Sequence, residues 1–407
     1  MGCQLATSAV VIRRADHALA VALFLVTTST VAFPSQGVWN QQHSHSHVSR
    51  QTAIKRATPR KPLKLQIPKI NDSNTIEPIG PSAVGEAVIR ASILLDRLKF
   101  SPGEISQNYT DNLSKAVQAY QIANRLTATG NVDPTTWTKL NQAQVTTLVD
   151  NGQQDIKSAD DSLRTGESTR GLKPSDFQAI TKYIILLEDV SGPFTKLPRV
   201  RGPNAGERLM LREAKLNQLN YESPLELLAE KFHSSPRLLV DLNPGKSFEK
   251  AGTQINVPNV LTPDPPQAGS IMVDGSTKSL SVLDSTGQML AFYPATVGSE
   301  HDPLPVGTWK IAEITRYPHF KYNPKLFWDS ENKHPKASVP PGPNNPVGIV
   351  WIGLSKEHYG IHGTPDPSKI GVTQSHGCIR LTNWDALELS KIIHIGTTAV
   401  LKEPGGS

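Results

Sequence analysis

The stretch Ile361-His362-Gly363-Thr364, followed after a spacer by Ser375-His376-Gly377-Cys378-Ile379-Arg380, packs several reactive residue types into a short run; twelve residues separate His362 from Ser375. The chain holds two cysteines, and the other, Cys3, lies ahead of an apolar leader, so Cys378 is the thiol left to do chemistry. His376 stands two residues before it and His362 sixteen. A cysteine beside an imidazole is the usual source of a thiolate nucleophile. Gly377 lets the backbone approach a substrate closely. Apolar neighbours on both sides (Tyr359 and Ile361, Ile379 and Leu381) predict that these groups sit on strand ends or strand-to-loop corners.

Two other uses of these residue types remain open at this level. A lone cysteine is often a small buried hydrophobe. One cysteine with two histidines is also a zinc ligand set, although the usual C-x2-C and H-x3-H spacings do not occur around Cys378 and no acidic general base stands near. His301, His319, His334, His358 and His394 lie outside the motif and read as surface or core histidines.

Working outward, the surrounding sequence alternates with period two. Ile271 to Val273, Ser279 to Leu283 and Met289 to Val297 read as strands, with turn chemistry at Asp274-Gly275 and Thr286-Gly287. Trp309 to Ile314 and Gly348 to Leu354 continue the set. A helix from Trp384 to Ile393, with Asn383 as its cap, closes the region. The pattern is that of a mostly-β domain, sandwich or barrel-like. Between Arg316 and Asn345 runs a long segment rich in Pro, Asn and aromatics (Tyr317, His319, Phe320, Tyr322, Phe327, Trp328), which we read as a lid or wall over a substrate cleft.

Ser-His-Gly-Cys-Ile-Arg, preceded by Ile-His-Gly-Thr, resembles the YkuD-type L,D-transpeptidases, which build crosslinks in bacterial peptidoglycan. The resemblance runs upstream through Pro340-Pro341-Gly342-Pro343-Asn344-Asn345-Pro346-Val347-Gly348 and downstream through Trp384-Asp385-Ala386 to Gly396-Thr397, covering residues 268–403. It implies a β-sandwich catalytic domain and a cysteine acyl-enzyme that releases terminal D-Ala from tetrapeptide stems. Carried onto this sequence, Cys378 is the nucleophile and His362 the proton acceptor and donor. His376 and Gly377 orient the site or form the oxyanion hole, while Arg380, Ser375 and Thr364 serve the substrate. The Arg380 guanidinium fork suits a substrate carboxylate. No metal and no other cofactor is implied. An L,D-carboxypeptidase, or attachment of lipoproteins to peptidoglycan, would use the same chemistry. A wall-binding scaffold with a dead catalytic domain is a different class, and the intact set of His362, His376 and Cys378 argues against it.

The rest of the chain reads as accessory regions. Residues 83–145 turn helical: Val88, Ile93, Leu94, Leu95 and Leu98 recur at helix spacing, Asp111 caps a second helix, and Pro134 opens a third. With Tyr120-Gln121 and Thr129-Gly130-Asn131-Val132-Asp133, this region resembles the three-helix peptidoglycan-binding module. Residues 146–175 are a polar linker. In residues 176–260, Tyr183 to Leu187 is a β-like run followed by a turn at Glu188 to Phe194. Ser223 and Ser235-Pro236 open two helices, and Gly252, Ile255 and Val257 close the region as a strand, an order that resembles a degenerate LysM-like repeat.

The composition agrees with an exported, multidomain protein. In 407 residues, 37% are hydrophobic and 32 are proline, which suits small domains joined by Pro-rich linkers. The formal charge of +6 suits an anionic wall or membrane surface and is too dispersed for nucleic acid. Arg13-Arg14, the apolar run Ala18 to Val26 and the small residues Thr30-Val31-Ala32 make residues 1–32 a signal peptide or membrane anchor. Residues 33–82 read as a disordered tether; its His43, His45 and His47 are a solvated polar tract that also has metal-binding residue types. The expected partners are peptidoglycan stem peptides and glycan strands, and the expected place is the periplasm or cell envelope of a bacterium. The sequence leaves the oligomeric state open.

Overall fold

The computed structural model describes residues 64–143, 178–202, 205–326 and 335–403, all within one compact unit. The leader, Cys3, the histidine tract, the polar stretch 146–175 and the aromatics Phe327 and Trp328 lie outside the described residues.

The chain enters through a single helical turn, α1 (Ile67–Ile70), and three longer helices: α2 (Glu86–Arg97), α3 (Asp111–Ala123) and α4, described over residues 134–143. Residues 64–82 were expected to belong to the disordered tether. Instead they pack: Ile70 is fully buried, and Ile79 bridges Val132 by paired backbone hydrogen bonds. The second helix is capped by Thr110, whose hydroxyl accepts from the Leu113 amide at 3.1 Å, and Asp111 is its first residue rather than its cap. Gln121 explains the Gln…Gly…Asp pattern of this region. It is fully buried, donates to the Asn131 carbonyl at 2.8 Å and the Thr136 hydroxyl at 3.0 Å, and accepts from the Gly130 amide at 2.9 Å. One side chain thereby satisfies the turn that launches α4.

The middle region runs β1 (Ile180–Ile184), α5 (Leu187–Ser191), α6 (Ala205–Glu213), α7 (Pro224–Lys231), α8 (Pro236–Leu242) and β2 (Gln254–Pro258), with β1 and β2 paired antiparallel. The expected strand at Tyr183 to Leu187 is shifted towards the N-terminus. The expected turn contains α5, because Asp189 accepts from the Leu186 amide at 2.8 Å and stabilises a helical turn there. Ser223 and Ser235 cap α7 and α8, with proline in each first turn. Asn243 ends α8 and exchanges side-chain hydrogen bonds with the backbone of Asn256 in β2, at 2.8 and 2.6 Å.

The C-terminal region contributes β3 (Ser270–Asp274), β4 (Ser279–Leu283), β5 (Met289–Pro294), β6 (Gly307–Arg316), β7 (Phe320–Tyr322), β8 (Ala337–Val339), β9 (Val350–Leu354), β10 (Gly360–His362), β11 (Ile379–Arg380), α9 (Asn383–Ile392) and β12 (Thr398–Lys402). Eight strands hydrogen-bond in the order β11-β10-β9-β6-β12-β3-β4-β5. The ten-residue β6 joins two halves: its start pairs with β12, its end with β9, and a bulge at Ile311/Glu313 lies between. Thr296, just past β5, then exchanges two backbone hydrogen bonds with Arg380 in β11, at 2.8 and 2.9 Å, so the two ends of the sheet meet. Both halves and α9 enclose one apolar core that includes Ile271, Val282, Ile352, Ile361, Ile379 and Leu389. The segment expected to be a structureless lid carries β7 and β8, paired as a two-stranded ribbon.

The regions are not beads on linkers. α2 is buried on two faces: Val88, Leu94 and Leu95 join the helical core, while Ile89 and Ile93 pack on Ile180, Leu238 and Val260 of the middle region. The outer edge of β5 is covered by residues 99–101, with Phe292 amide to Lys99 carbonyl at 2.8 Å and Ser101 amide to Phe292 carbonyl at 2.9 Å. Covering an edge strand removes an aggregation template. At the same junction Ser101 donates to Asp385 at 3.0 Å, Lys99 pairs with Glu388 at 2.5 Å, and His233 faces Asp96 at 3.1 Å while stacking on Trp384.

Two stability measurements test this junction. Phe292 lies in β5 yet belongs to the helical core, so Phe292→Ala should cost about 3–5 kcal/mol in urea unfolding; a loss under about 1 kcal/mol contradicts the shared core. Burial, reinforced by Asp96, raises the Asp385 carboxyl to about 8. The folded state therefore holds a proton that the unfolded chain has released, and stability falls as pH rises from the ordinary carboxyl range to about 8. Asp385→Asn should flatten that fall, its melting temperature gaining on wild type steadily across this window.

Candidate active site

β10 and β11 are short, three and two residues, and they pair in parallel with Ile361 opposite Ile379 and His362 opposite Arg380. Side chains of register partners share a face, and the period of two puts residue 378 on the face of residue 380. Cys378, at the entrance to β11, therefore projects to the side of the sheet that carries His362 and Arg380. The apolar neighbours Ile361, Ile379 and Leu381 are fully buried and point the other way into the core, as their alternation predicts.

His362 is buried, and its Nδ1 lies 2.7 Å from the Gly363 carbonyl oxygen. A carbonyl has no proton to give, so Nδ1 carries the hydrogen and Nε2 keeps a free lone pair. The ring stacks on Trp351, its register partner in β9, with centroids 5.7 Å apart. Burial, helped by the Arg380 charge and opposed by the Gly363 hydrogen bond, lowers the imidazole to about 3. Cys378 is half-buried, and its Sγ lies 3.8 Å from the His358 carbonyl. Burial pushes the thiol up; a Gly360 backbone hydrogen bond and the Arg380 charge pull it down, and Asp302 adds to the rise. The resting centre is a neutral thiol and a neutral imidazole on one face of the sheet, with Nε2 of the imidazole unprotonated.

The residues around the thiol are held by backbone geometry. Gly377 has φ +87°, and a Cβ there would lie 2.6 Å from the Tyr359 ring, so only glycine fits on both counts. Ser375 Oγ donates to the Cys378 carbonyl at 2.5 Å and closes the turn that carries the thiol. His376 is half-buried in this turn. Thr364 accepts from the Asp366 amide at 3.2 Å, shaping the start of the spacer. Arg380 Nη1 reaches the Gln374 carbonyl at 3.4 Å, and among the described residues it has no carboxylate partner. Among the described residues, no group of three or more His, Cys, Asp or Glu side chains is arranged to hold a metal ion.

Sequence reasoning missed the supports of the site. Asn383, expected as a helix cap, is the first residue of α9; Thr382 is the cap, accepting from the Asp385 amide at 3.1 Å. The buried Asn383 side chain instead accepts from the Ile349 amide at 3.2 Å and donates to the Pro343 carbonyl at 3.1 Å. It fills the space that Cβ atoms on Gly348 and Gly363 would occupy, 2.0 and 2.2 Å from its Oδ1. Asn383 thus locks the residue after His362 to the 340–349 segment. Glu230 of α7 lies against Asn383, and burial raises its carboxyl to about 8. From the helical region, Asn112 donates to the Ile370 carbonyl at 2.9 Å in the spacer between His362 and Cys378. Paired glycines near a buried asparagine were the available signal, but no spacing rule links them.

A model of the L,D-transpeptidase catalytic domain, YkuD, matches residues 268–401, and a peptidoglycan binding domain matches residues 84–140. The chain is 34% identical over 176 residues to a Bacillus licheniformis protein named "Putative L,D-transpeptidase YkuD", covering 42% of this chain and 90% of that one. The Bacillus subtilis protein of the same name is 30% identical over 188 residues, covering 45% of this chain and 96% of that one. The chain belongs to the YkuD family of L,D-transpeptidases. The family extends to the "Probable L,D-transpeptidase YbiS" of Escherichia coli, 28% identical over 180 residues, 43% of this chain and 58% of that one. The YkuD match includes His362, Thr364 and the run from Ser375 to Arg380, but not Glu230 or Asn112, and family membership sets the chain among cysteine-dependent enzymes acting at the cell envelope.

The neutral resting pair makes a kinetic prediction. Because His362 stays unprotonated down to about pH 3 and the thiol is raised, no standing thiolate–imidazolium pair exists near neutrality. Alkylation of Cys378 by iodoacetamide should climb roughly tenfold per pH unit between pH 6 and 8, as a protonated thiol does. A rate already flat between pH 5 and 7 contradicts this assignment.

Proposed function

We propose that the protein is an L,D-transpeptidase that forms peptidoglycan crosslinks through a Cys378 thioester. The observation that carries the reading is the parallel β10–β11 pairing, which sets His362 opposite Arg380 and brings Cys378 to the same face. His362 Nε2 takes the thiol proton as sulfur attacks the carbonyl between the third residue, a diamino acid, and the terminal D-Ala of a tetrapeptide stem. The tetrahedral oxyanion is received by backbone amides at Gly377 and Cys378, a contribution of ~3–4 kcal/mol to the barrier. Collapse expels D-Ala, whose amine takes the proton from His362, and leaves the thioester. The side-chain amine of a second stem attacks next, gives its proton to His362, and frees Cys378 when the new amide forms. His376 orients this centre, Arg380 pairs with a substrate carboxylate, and Ser375 and Thr364 hold the two ends of the spacer.

The same acyl-enzyme resolved by water is an L,D-carboxypeptidase, and resolved by a protein amine it attaches a lipoprotein to the wall. The helical module at residues 83–145 serves wall binding in this reading, and residues 176–260 serve as a LysM-like glycan-binding region, supported by two capped helices and a strand that closes on β1. Residues 1–32 direct export and residues 33–63 tether the enzyme in the periplasm or cell envelope, leaving 268–403 as the catalytic domain. Incubation with tetrapeptide stems and mass spectrometry of the products tests the reaction. Wild type should release D-Ala and form dimers; Cys378→Ala should form none, and His362→Ala should lose at least about a hundredfold. Dimers at wild-type level from Cys378→Ala refute the mechanism.

A further inference from the structure

The β7–β8 ribbon is amphipathic in an informative way. Its register pairs Phe320 with Val339, Lys321 with Ser338 and Tyr322 with Ala337. Alternation puts Phe320, Tyr322 and Val339 on one face, and Lys321, Asn323, Lys336 and Ser338 on the other. The apolar face is spent on the middle region: Val339 packs with Leu197 and Leu219, and the buried Tyr322 hydroxyl donates to Glu207 at 2.8 Å. That contact fixes which way the polar face looks. Together with Tyr322 and Ala337 it lines a cleft of about 500 Å³ that His358 also borders. The His358 carbonyl lies 3.8 Å from the Cys378 sulfur, so one residue borders both the cleft and the thiol.

Two lysines on one face of a two-stranded ribbon repel each other and gain nothing from the fold. Both are exposed, and neither has a carboxylate partner among the described residues. Glu357 sits 3.5 Å from the His358 ring. Arg380, on the sheet face that carries Cys378, is likewise without a carboxylate partner among the described residues. Among the described residues, the polar face of the ribbon carries two lysines and no carboxylate to balance them.

We propose that Lys321 and Lys336 form an anion-binding subsite that guides the free carboxylates of a stem peptide towards Cys378, making the enzyme selective for acidic stems over amidated ones. This rests on the transpeptidase reading for its substrate, but the cleft can be tested without turnover. Iodoacetate and iodoacetamide differ by one negative charge, so their rate ratio at the Cys378 peptide of the full-length chain reports local potential and cancels any change in the thiol itself. The Lys321→Ala/Lys336→Ala double variant should lower the iodoacetate rate roughly threefold relative to iodoacetamide at low salt, with the difference shrinking at high salt. Lys182→Ala, in β1, should leave the ratio unchanged. With stems as substrate, the double variant should lose about tenfold in kcat/KM through KM for free-acid stems and less than about twofold for amidated stems. An unchanged alkylation ratio, or equal losses on both stems, overturns the subsite. If wild type makes no crosslinks, the transpeptidase reading fails while the alkylation arm still decides the cleft.

Discussion

Arg380 is gripped from both sides, and the site depends on that grip. On one side β11 runs parallel to β10, so that Arg380 stands beside His362; on the other, its amide and carbonyl pair with Thr296 beyond β5. A strand of two residues has too few hydrogen bonds to hold its place alone. Closure of the sheet through Thr296 supplies the second set, and the thiol at residue 378 inherits its position from that pairing. Because the side-chain period is two, a register slip of one residue would turn Cys378 into the core and Ile379 to the cleft.

Helices from elsewhere in the chain reinforce this arrangement. The helical region caps the free edge of β5 and, through Asn112, holds the spacer that separates the histidine from the cysteine. The middle region supports the 340–349 segment: Leu219 pairs with the backbone of Pro341 and Asn344, and Asn344 donates to Glu226 at 2.9 Å. A Cβ on Gly342 would lie 2.2 Å from the Leu219 carbonyl, so the contact is backbone on backbone. Asn383 then joins that segment to Gly363. The region that matches a peptidoglycan-binding domain and the middle region therefore share the surfaces that set the geometry of the site.

Burial governs the chemistry as much as geometry does. Enclosing His362 and Cys378 disfavours both charged forms, so charge separation waits until a substrate carbonyl is available to accept the sulfur's electron pair. The Nδ1 contact with Gly363 fixes the tautomer in advance, which leaves His362 a single task at its other nitrogen. Arg380 tempers the rise at the thiol and deepens the fall at the histidine, acting on both groups in the direction that keeps a base ready.

The sequence alone marked the candidate reactive set, because Ser-His-Gly-Cys-Ile-Arg with an upstream Ile-His-Gly is chemically dense and flanked by alternating apolar residues. It also marked β3, β4, β5, β6 and β9 and the helices, since period acts over a few residues, while the caps of α3 and α9 fall one residue earlier than expected. It misjudged residues 64–82, which are polar and proline-bearing yet are ordered by buried Ile70 and Ile79, and it misassigned Asn383, whose partners lie 34 and 40 residues away. Only the tertiary structure decided how the sheet closes, that the regions share cores, that Asn383 locks the strand bearing His362, and that the polar ribbon face shares a cleft with His358. Those features are contacts between segments remote in the chain, and local periodicity carries no information about which distant face will meet it.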